Sequence, residues 1–357
     1  MFRRYDRKEN FIMDFINKML PAPINGGFRM EGYWVWCGSV IKGEDNRYHM
    51  FASRWKKTQP MHPGWLFGSE IVRASSDTPE GPYTFEEVVL TSRGQQYWDG
   101  MCVHNPHITK QGDQYVLYYI GTTYPFPAPS DDDRVSVNDL RTDVARAGKR
   151  IGIATAPSVF GPWKRYNEPI LKPRPDQFDN LYVSNPAPCT NPDGSITMVY
   201  KSCGVRPGPD YPTGHIHGLM QFGVATAPNF SGPYTAQTES SIFSSDTLME
   251  DPFIWRNEEG LHMIAKDMQG NICGECYGGV YAHSSDGLTW TAERGRLAYS
   301  RHVLWDDGET RLMGNLDRPF ILFEAGEPIC LFFATSNGTD SFLDATDTWN
   351  MAIPLKK

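Results

Sequence analysis

Two adjacent carboxylates, Glu250 and Asp251, stand directly before a proline at the head of the apolar run Leu248–Trp255. Proline cannot donate a hydrogen bond to a central β-ladder, so the residues before Pro252 are expected at the mouth of a strand. A carboxyl group at such a position can exchange a proton with a bound ligand. In a regular strand the two side chains point to opposite faces, so only one faces a ligand unless the strand is bulged.

The phrase around Pro252 is one of five related head phrases. The other four, altered at their polar positions, are Cys37-Gly38-Ser39-Val40-Ile41, His104-Asn105-Pro106-His107-Ile108, Ser184-Asn185-Pro186-Ala187-Pro188 and Asp317-Arg318-Pro319-Phe320-Ile321. They recur about every 70 residues, which indicates a repeat architecture.

Each head phrase opens a longer repeated pattern. Two apolar runs separated by polar turn residues predict a β-hairpin, the inner half of each repeat, over 35–55, 103–123, 183–203, 249–269 and 316–336. A second pattern, the outer half, runs from a strand with small residues through a glycine-containing turn, over 71–90, 151–171, 222–243 and 278–299. The sequence therefore predicts four strands per repeat.

Four-stranded units bury both faces when they stack radially, so the prediction is an all-β fold, a five-bladed β-propeller with four antiparallel strands per blade. An aromatic content of 13% with 33 glycines and 27 prolines fits such a turn-rich β protein. We expect one propeller domain over residues 33–357, after an N-terminal extension over residues 1–32. The closing blade is expected to draw on both chain ends, with Thr348–Leu355 and the region before Tyr33 as candidate strands.

In a propeller the innermost strands converge on the axis, so the five head phrases should meet at one depression. This depression would combine acids, amides and a guanidinium with tryptophan rings, which suits the hydroxyl groups and faces of a sugar. The candidate substrate-binding residues are Trp34, Trp36, Arg54, Asn105, Asn185, Lys201, Lys266 and Arg318. Four irregular insertions, over 56–67, 124–149, 204–221 and 269–278, are long enough to be functional or mobile.

The inner (Asp/Asn)-Pro-x-Ile phrase and the outer phrase Ala-Thr-Ala-Pro-x-x-x-Gly-Pro-Trp/Tyr together carry a family resemblance. The outer phrase stands at 154–163 and at 225–234, and its Gly-Pro-aromatic element recurs at Gly81-Pro82-Tyr83. From about residue 33 the chain resembles the five-bladed propeller glycoside hydrolases of family 43 and their relatives in families 32, 62, 117 and 130. The resemblance implies cleavage of glycosidic bonds.

In family 43 a carboxylate heads the first blade as general base, an Asp heads the third and tunes the acid, and a Glu heads the fourth as general acid. By position, the resemblance implies that Glu250 is the general acid. The chain departs from the pattern at the other two positions, which are Cys37 and Asn185.

A hydrolase of this type would need its base from another carboxylate, and Asp99, Asp251 and Asp317 are the candidates. His104 is a further candidate acid or base near neutral pH. Structural roles are the alternative: Asp251 and Asn185 would brace the ring, Glu250 would pair with Arg318 or Lys266, Asp317 would pair with Arg318, and Asp99 would cap a loop.

Basic residues form a second layer. Arg54, Lys201 and Lys266 end the second inner strands of three repeats, and Arg206, His215 and His217 follow in an insertion. A cationic rim would suit a uronate, a sulfated sugar or a phosphorylated sugar. It also suits a glycoside phosphorylase that uses inorganic phosphate as the nucleophile.

Three functions remain open. The first is a hydrolase that releases terminal residues from an oligo- or polysaccharide, the second is the phosphorylase, and the third is a non-catalytic glycan-binding propeller. The expected partner is a carbohydrate in each case, and the oligomeric state stays open.

Other classes are disfavoured by composition. A formal charge of −8 argues against a nucleic-acid surface. No apolar run reaches the roughly 20 residues of a membrane helix, and Met1–Leu20 lacks the apolar region of a signal peptide, so we expect a cytoplasmic protein without a membrane partner. The seven cysteines lack paired zinc-site spacing, with Cys273 and Cys276 coming nearest. We expect no metal site and no cofactor, with an axial cation left open.

Overall fold

The computed structural model describes residues 13–205 and 216–356, without the side chain of His217. The chain is a five-bladed β-propeller, which confirms the predicted fold. Three short helices, α1 (Phe15–Lys18), α2 (Trp65–Gly68) and α3 (Leu140–Ala147), accompany the strands. No helix among the described residues is long and apolar enough to cross a membrane.

The first four blades each consist of four consecutive antiparallel strands. Blade 1 is β1 (Tyr33–Lys42), β2 (Tyr48–Lys56), β3 (Glu70–Ser76) and β4 (Thr84–Leu90). Blade 2 is β5 (Cys102–Gln111), β6 (Gln114–Thr122), β7 (Arg150–Ala156) and β8 (Lys164–Arg165). Blade 3 is β9 (Tyr182–Thr190), β10 (Ile196–Val205), β11 (His217–Ala227) and β12 (Thr235–Ala236). Blade 4 is β13 (Met249–Asn257), β14 (Gly260–Asp267), β15 (Gly279–Ser284) and β16 (Thr291–Ala292).

A hairpin of β17 (His302–Leu304) and β18 (Thr310–Leu312) leads into blade 5, which is β19 (Asp317–Glu324), β20 (Glu327–Ser336) and β21 (Thr348–Pro354). The segment before β1 lies beside β21. Phe28 and Asn350 exchange backbone hydrogen bonds of 2.8 and 3.0 Å, and the Leu20 amide donates to the carbonyl of Pro354 at 2.9 Å. Both chain ends therefore contribute to the closing blade, as the sequence indicated.

Gly27 permits this closure. Its φ is +70°, and a Cβ atom there would lie 2.0 Å from the backbone oxygen of Asn350. Only glycine allows both the positive φ and the close approach of the two backbones.

The blades hold together through apolar side chains buried between neighbouring sheets. Phe51 and Ile71 of blade 1 pack with Val103 and Leu117 of blade 2 in one such cluster. Comparable clusters join the other blades. Burial on both faces explains why the inner strands are almost continuously apolar after their head phrases.

Candidate functional site

Each inner strand carries an irregularity at its head phrase. The pairing register breaks between Trp36 and Ser39 in β1, and β5, β13 and β19 break at the equivalent point, as does the pairing of β9 with β10. One residue in each break has a positive φ: Cys37 (56°), Asn105 (54°), Asn185 (48°), Asp251 (59°) and Arg318 (52°). Positive φ at a residue other than glycine is uncommon and is typically held in place by the surrounding structure.

The bulges turn consecutive side chains of each head phrase towards the propeller axis. Ten of these side chains line a cavity of about 290 Å³: Trp36, Cys37, His104, Asn105, Ser184, Asn185, Glu250, Asp251, Asp317 and Arg318. Residues remote in sequence are thus brought together. Glu250 and Asp251 both reach the cavity because their strand is bulged.

The five positive-φ residues form what we call the inner ring: Cys37, Asn105, Asn185, Asp251 and Arg318. The Cys37 thiol donates to Asn105 Oδ1 at 2.6 Å, and Asn105 Nδ2 donates to Asn185 Oδ1 at 2.6 Å. Asn185 Nδ2 donates to Asp251 Oδ1 at 2.5 Å. The Arg318 amide donates to Asp251 Oδ2 at 3.1 Å. These hydrogen bonds connect the blades in sequence from blade 1 to blade 5, and Asp251 accepts from two of its neighbours.

The residue before each inner-ring residue belongs to what we call the outer ring: Trp36, His104, Ser184, Glu250 and Asp317. Glu250 forms ion pairs with Lys201 of blade 3 and with Lys266, whose ammonium lies 3.0 Å from Glu250 Oε2. Lys266 stands directly opposite Glu250 in the β13–β14 pairing. Burial raises the pKa of Glu250, but the two ammonium groups outweigh it and hold that pKa well below its ordinary value. Glu250 is therefore ionised at neutral pH.

Asp317 shares Lys266 with Glu250. The Lys266 ammonium lies 2.9 Å from Asp317 Oδ1 and 3.7 Å from Asp251 Oδ2. The first contact is an ion pair without hydrogen-bond geometry. Burial raises the pKa of Asp317 to about 6, against the opposing effect of Lys266. One lysine thus joins two carboxyl groups whose pKa values lie far apart.

His104 and Cys37 are uncharged at neutral pH. Burial lowers the pKa of His104 well below its ordinary value, and the charges of Arg318, Lys149 and Lys201 lower it further. Its ring stacks on Trp65 with centroids 4.5 Å apart. Burial raises the pKa of the Cys37 thiol well above its ordinary value, so the residue in the first-blade position is a neutral thiol.

The structure places Asp99 outside the cavity. The carboxylate is fully buried and accepts hydrogen bonds from Arg93 Nε at 2.6 Å and from the Tyr119 hydroxyl at 2.7 Å. Blade 3 repeats this arrangement with Asp179, Arg174 and Tyr200. Asp99 is thus one of two matched braces between a loop and the second strand of its blade, and it has no access to a ligand in the cavity.

Three predicted binding residues, Trp34, Arg54 and Lys266, also lie away from the cavity lining. Trp34 donates its indole N–H to the Gln59 carbonyl at 2.9 Å. Arg54 pairs with Glu70 at 2.8 Å, between the rings of Tyr33 and Phe85. Lys266 lies behind Glu250 and Asp317, whereas Lys201 lines the cavity itself. Arg206, His215 and the side chain of His217 lie outside the described part of the chain.

The insertions add cavity residues that the sequence did not single out. The first insertion contributes Met61, His62 and Trp65, the second contributes Arg146 and Lys149, and the loop after β20 contributes Phe342. The length of the first two insertions indicated segments that are functional or mobile, without identifying the side chains that turn inward, and the loop that carries Phe342 was not among the predicted insertions.

The site shows no arrangement typical of a metal centre. Within residues 13–205 and 216–356, no three histidine, cysteine or acidic side chains cluster as metal ligands would. Cys273 and Cys276 are free thiols, as are the other five cysteines.

Comparison with known proteins reveals similarity at the level of structure. No protein-family model matches the chain, and no curated protein matches it in sequence. Several solved structures do match. A structure described as a complex of BT0996 and RGII is 15% identical, with a TM-score of 0.64 over 96% of this protein and 93% of that one.

Two further solved structures are glycoside hydrolases by their descriptions. Zg3597, a family 117 glycoside hydrolase from the marine bacterium Zobellia galactanivorans, is 15% identical with a TM-score of 0.62 over 95% of this chain and 89% of that chain. A thermostable family 43 glycoside hydrolase is 14% identical with a TM-score of 0.57 over 90% of this chain and 89% of that chain. At these identities the similarity establishes a shared fold.

Proposed function

We propose that the protein is a glycoside hydrolase that removes a terminal sugar from an oligo- or polysaccharide bound in the axial cavity. The observation that carries this proposal is the pair formed by Glu250 and Asp317 around Lys266. Most glycosidases act through two carboxyl groups, one that donates a proton and one that is ionised. A pair of carboxyl groups with separated pKa values is the arrangement such chemistry requires.

In this proposal Asp317 donates the proton to the leaving glycosidic oxygen, because its pKa of about 6 leaves it partly protonated near neutrality. Glu250, ionised through Lys201 and Lys266, stabilises the positive charge that develops at the anomeric carbon. A water molecule then bonds to that carbon, and the proton it loses restores the proton that Asp317 donated. The family resemblance suggested Glu250 as the acid. Two flanking ammonium groups favour the carboxylate form instead, so we assign the acid role to Asp317.

The remaining cavity walls fit a sugar ring. Trp36, Trp65 and Phe342 present aromatic surface, and the amides of Asn105 and Asn185 lie in the floor. Ligand pockets are typically concave and combine aromatic side chains with a few placed polar groups, as this cavity does. The glycoside hydrolases that share the fold support the same class of substrate.

The test is turnover of an oligosaccharide panel, followed by product chromatography, for the parent and for Asp317→Asn and Glu250→Gln. Both replacements keep the side-chain shape. We expect each to lower turnover by roughly 10²- to 10⁴-fold, while Asp113→Asn, in an exposed hairpin turn, leaves it unchanged. Thermal unfolding of each variant checks that folding is retained. A parent protein that binds glycans without cleaving any of them would overturn the proposal in favour of a glycan-binding propeller.

A further inference from the structure

The basic residues of the cavity fall into two groups. Lys201 and Lys266 are occupied by the carboxylates of Glu250, Asp251 and Asp317. Lys201 lines the cavity and Lys266 lies behind it. Arg146, Lys149 and Arg318 line the cavity too, yet no carboxylate of residues 13–205 and 216–356 lies within ion-pair distance of them. The cavity therefore contains basic side chains that have no carboxylate partner in the described part of the chain, although the whole chain carries a net charge of −8.

Arg318 is the clearest case. Only 8% of its surface is exposed, and its Nη1 atom is fully buried without a hydrogen-bond partner. A buried guanidinium N–H without an acceptor is costly, and a bound acceptor would remove that cost. The planar guanidinium matches a carboxylate or another oxyanion particularly well.

Lys149 is the second case. Its exposed fraction is 3%, and its ammonium group lies 3.5 Å over the ring of Tyr182. Burial lowers the pKa of Lys149 well below its ordinary value, and the nearby charges of Lys201 and Arg146 lower it further. An anion bound beside it would favour the charged ammonium and raise that pKa.

We propose that the sugar bound in the axial cavity carries a carboxylate, as uronic acids do, and that Arg318, Lys149 and Arg146 bind this group. The inference rests on the proposed function for its sugar, and adds the chemical class of that sugar. The carboxylate supplies the counter-charge for the unpaired cations and an acceptor for the buried guanidinium. It leaves Lys201 and Lys266 free to hold Glu250 and Asp317.

The experiment is calorimetric titration of the full chain with D-galacturonate and D-glucuronate, and with their neutral counterparts D-galactose and D-glucose. We expect at least one uronate to bind about tenfold or more tightly than its neutral counterpart, as one or more charge-assisted hydrogen bonds would provide.

Variants test the assignment of the residues. Lys149→Gln should remove the uronate preference. Arg318→Gln should remove the preference. Arg318→Lys keeps the charge without the planar fork and should keep part of the preference, so it tests the same residue if Arg318→Gln folds poorly. Lys172→Gln, at an exposed lysine paired with Glu168, is the matched control and should change nothing.

Equal binding of uronates and neutral sugars, or binding of neither uronate, would overturn the inference. Turnover that depends on inorganic phosphate, with phosphate competing for the same residues, would also overturn it, because the cations would then bind a free nucleophile. If the parent protein binds uronates but hydrolyses no glycan, the proposed function is wrong and the inference about the carboxylate stands. If the parent protein cleaves neutral glycosides and shows no preference for uronates, the inference about the carboxylate is wrong and the proposed function stands.

Discussion

The inner and outer rings occupy adjacent residues of the same five bulges, yet their chemistry differs. In the inner ring, Cys37, Asn105 and Asn185 pass hydrogen bonds from blade to blade and Asp251 accepts at the end, and only the Arg318 side chain keeps a buried N–H without a partner in the described part of the chain. In the outer ring, Glu250 and Asp317 depend on lysines of blades 3 and 4 and have pKa values displaced in opposite directions. Within the bulge of blade 4, the first residue, Glu250, is thus available for chemistry while the second, Asp251, links neighbouring blades.

The largest effect on stability is expected from the inner ring. Asp251→Ala would leave the Asn185 amide and the Arg318 amide without acceptors, and would remove one of three carboxylates around buried Lys266. We expect the free energy of unfolding to fall by about 3 kcal/mol, the scale for breaking a buried ionic network. Urea unfolding measures this change. Ser184→Ala, in the outer ring, should lower the free energy of unfolding by a smaller amount. An equal decrease would contradict the distinction between the rings.

A smaller effect is expected when a carboxylate is placed into the inner ring with Asn185→Asp. Two carboxylates in hydrogen-bond contact cannot both ionise easily, so the folded-state pKa of one of them should be raised above its unfolded value. A raised pKa contributes stability that is present at low pH and is lost as pH rises through the folded pKa. The variant should therefore approach the parent in stability below about pH 4 and fall behind it at neutral pH. A constant stability difference across this pH range would contradict the hydrogen-bond contact between positions 185 and 251.

The smallest effect concerns the reactivity of the inner-ring thiol. Because the raised pKa of Cys37 keeps it protonated and unreactive, native protein treated with iodoacetamide should be alkylated at exposed Cys276 and not at Cys37. Peptide mass spectrometry identifies the labelled site, and denatured protein provides the control in which all seven thiols react. Rapid native labelling of Cys37 would show a thiolate there and a role beyond ring closure.

Much of this arrangement could be predicted from sequence, because it follows from repetition. The five head phrases fixed the number of blades and indicated which residues approach the axis. Even the Glu250–Lys266 pair follows from hairpin register, since the two residues stand opposite each other in β13 and β14. The Asp99 brace also had a signal, because the order Arg, Asp, Tyr recurs at Arg93, Asp99 and Tyr119 and at Arg174, Asp179 and Tyr200.

Other features had no local signal. Trp65 and Lys149 come from insertions that do not repeat, so their paths depend on packing against neighbouring blades rather than on strand periodicity. The ionisation of Glu250 depends on Lys201, which lies in another blade. The identity of the proton donor could therefore be inferred only after the two lysines and both carboxyl groups had been placed in space.

The most direct test of the account is the pH dependence of kcat/KM on a substrate found in the oligosaccharide panel. If Asp317 is the proton donor, kcat/KM should fall as pH rises above about 6, because the free enzyme then loses the proton it must donate. The residual activity of Asp317→Asn should lack this fall. Activity that stays constant as pH rises through this range, or a fall that persists unchanged in Asp317→Asn, would contradict the assignment of Asp317 as the acid.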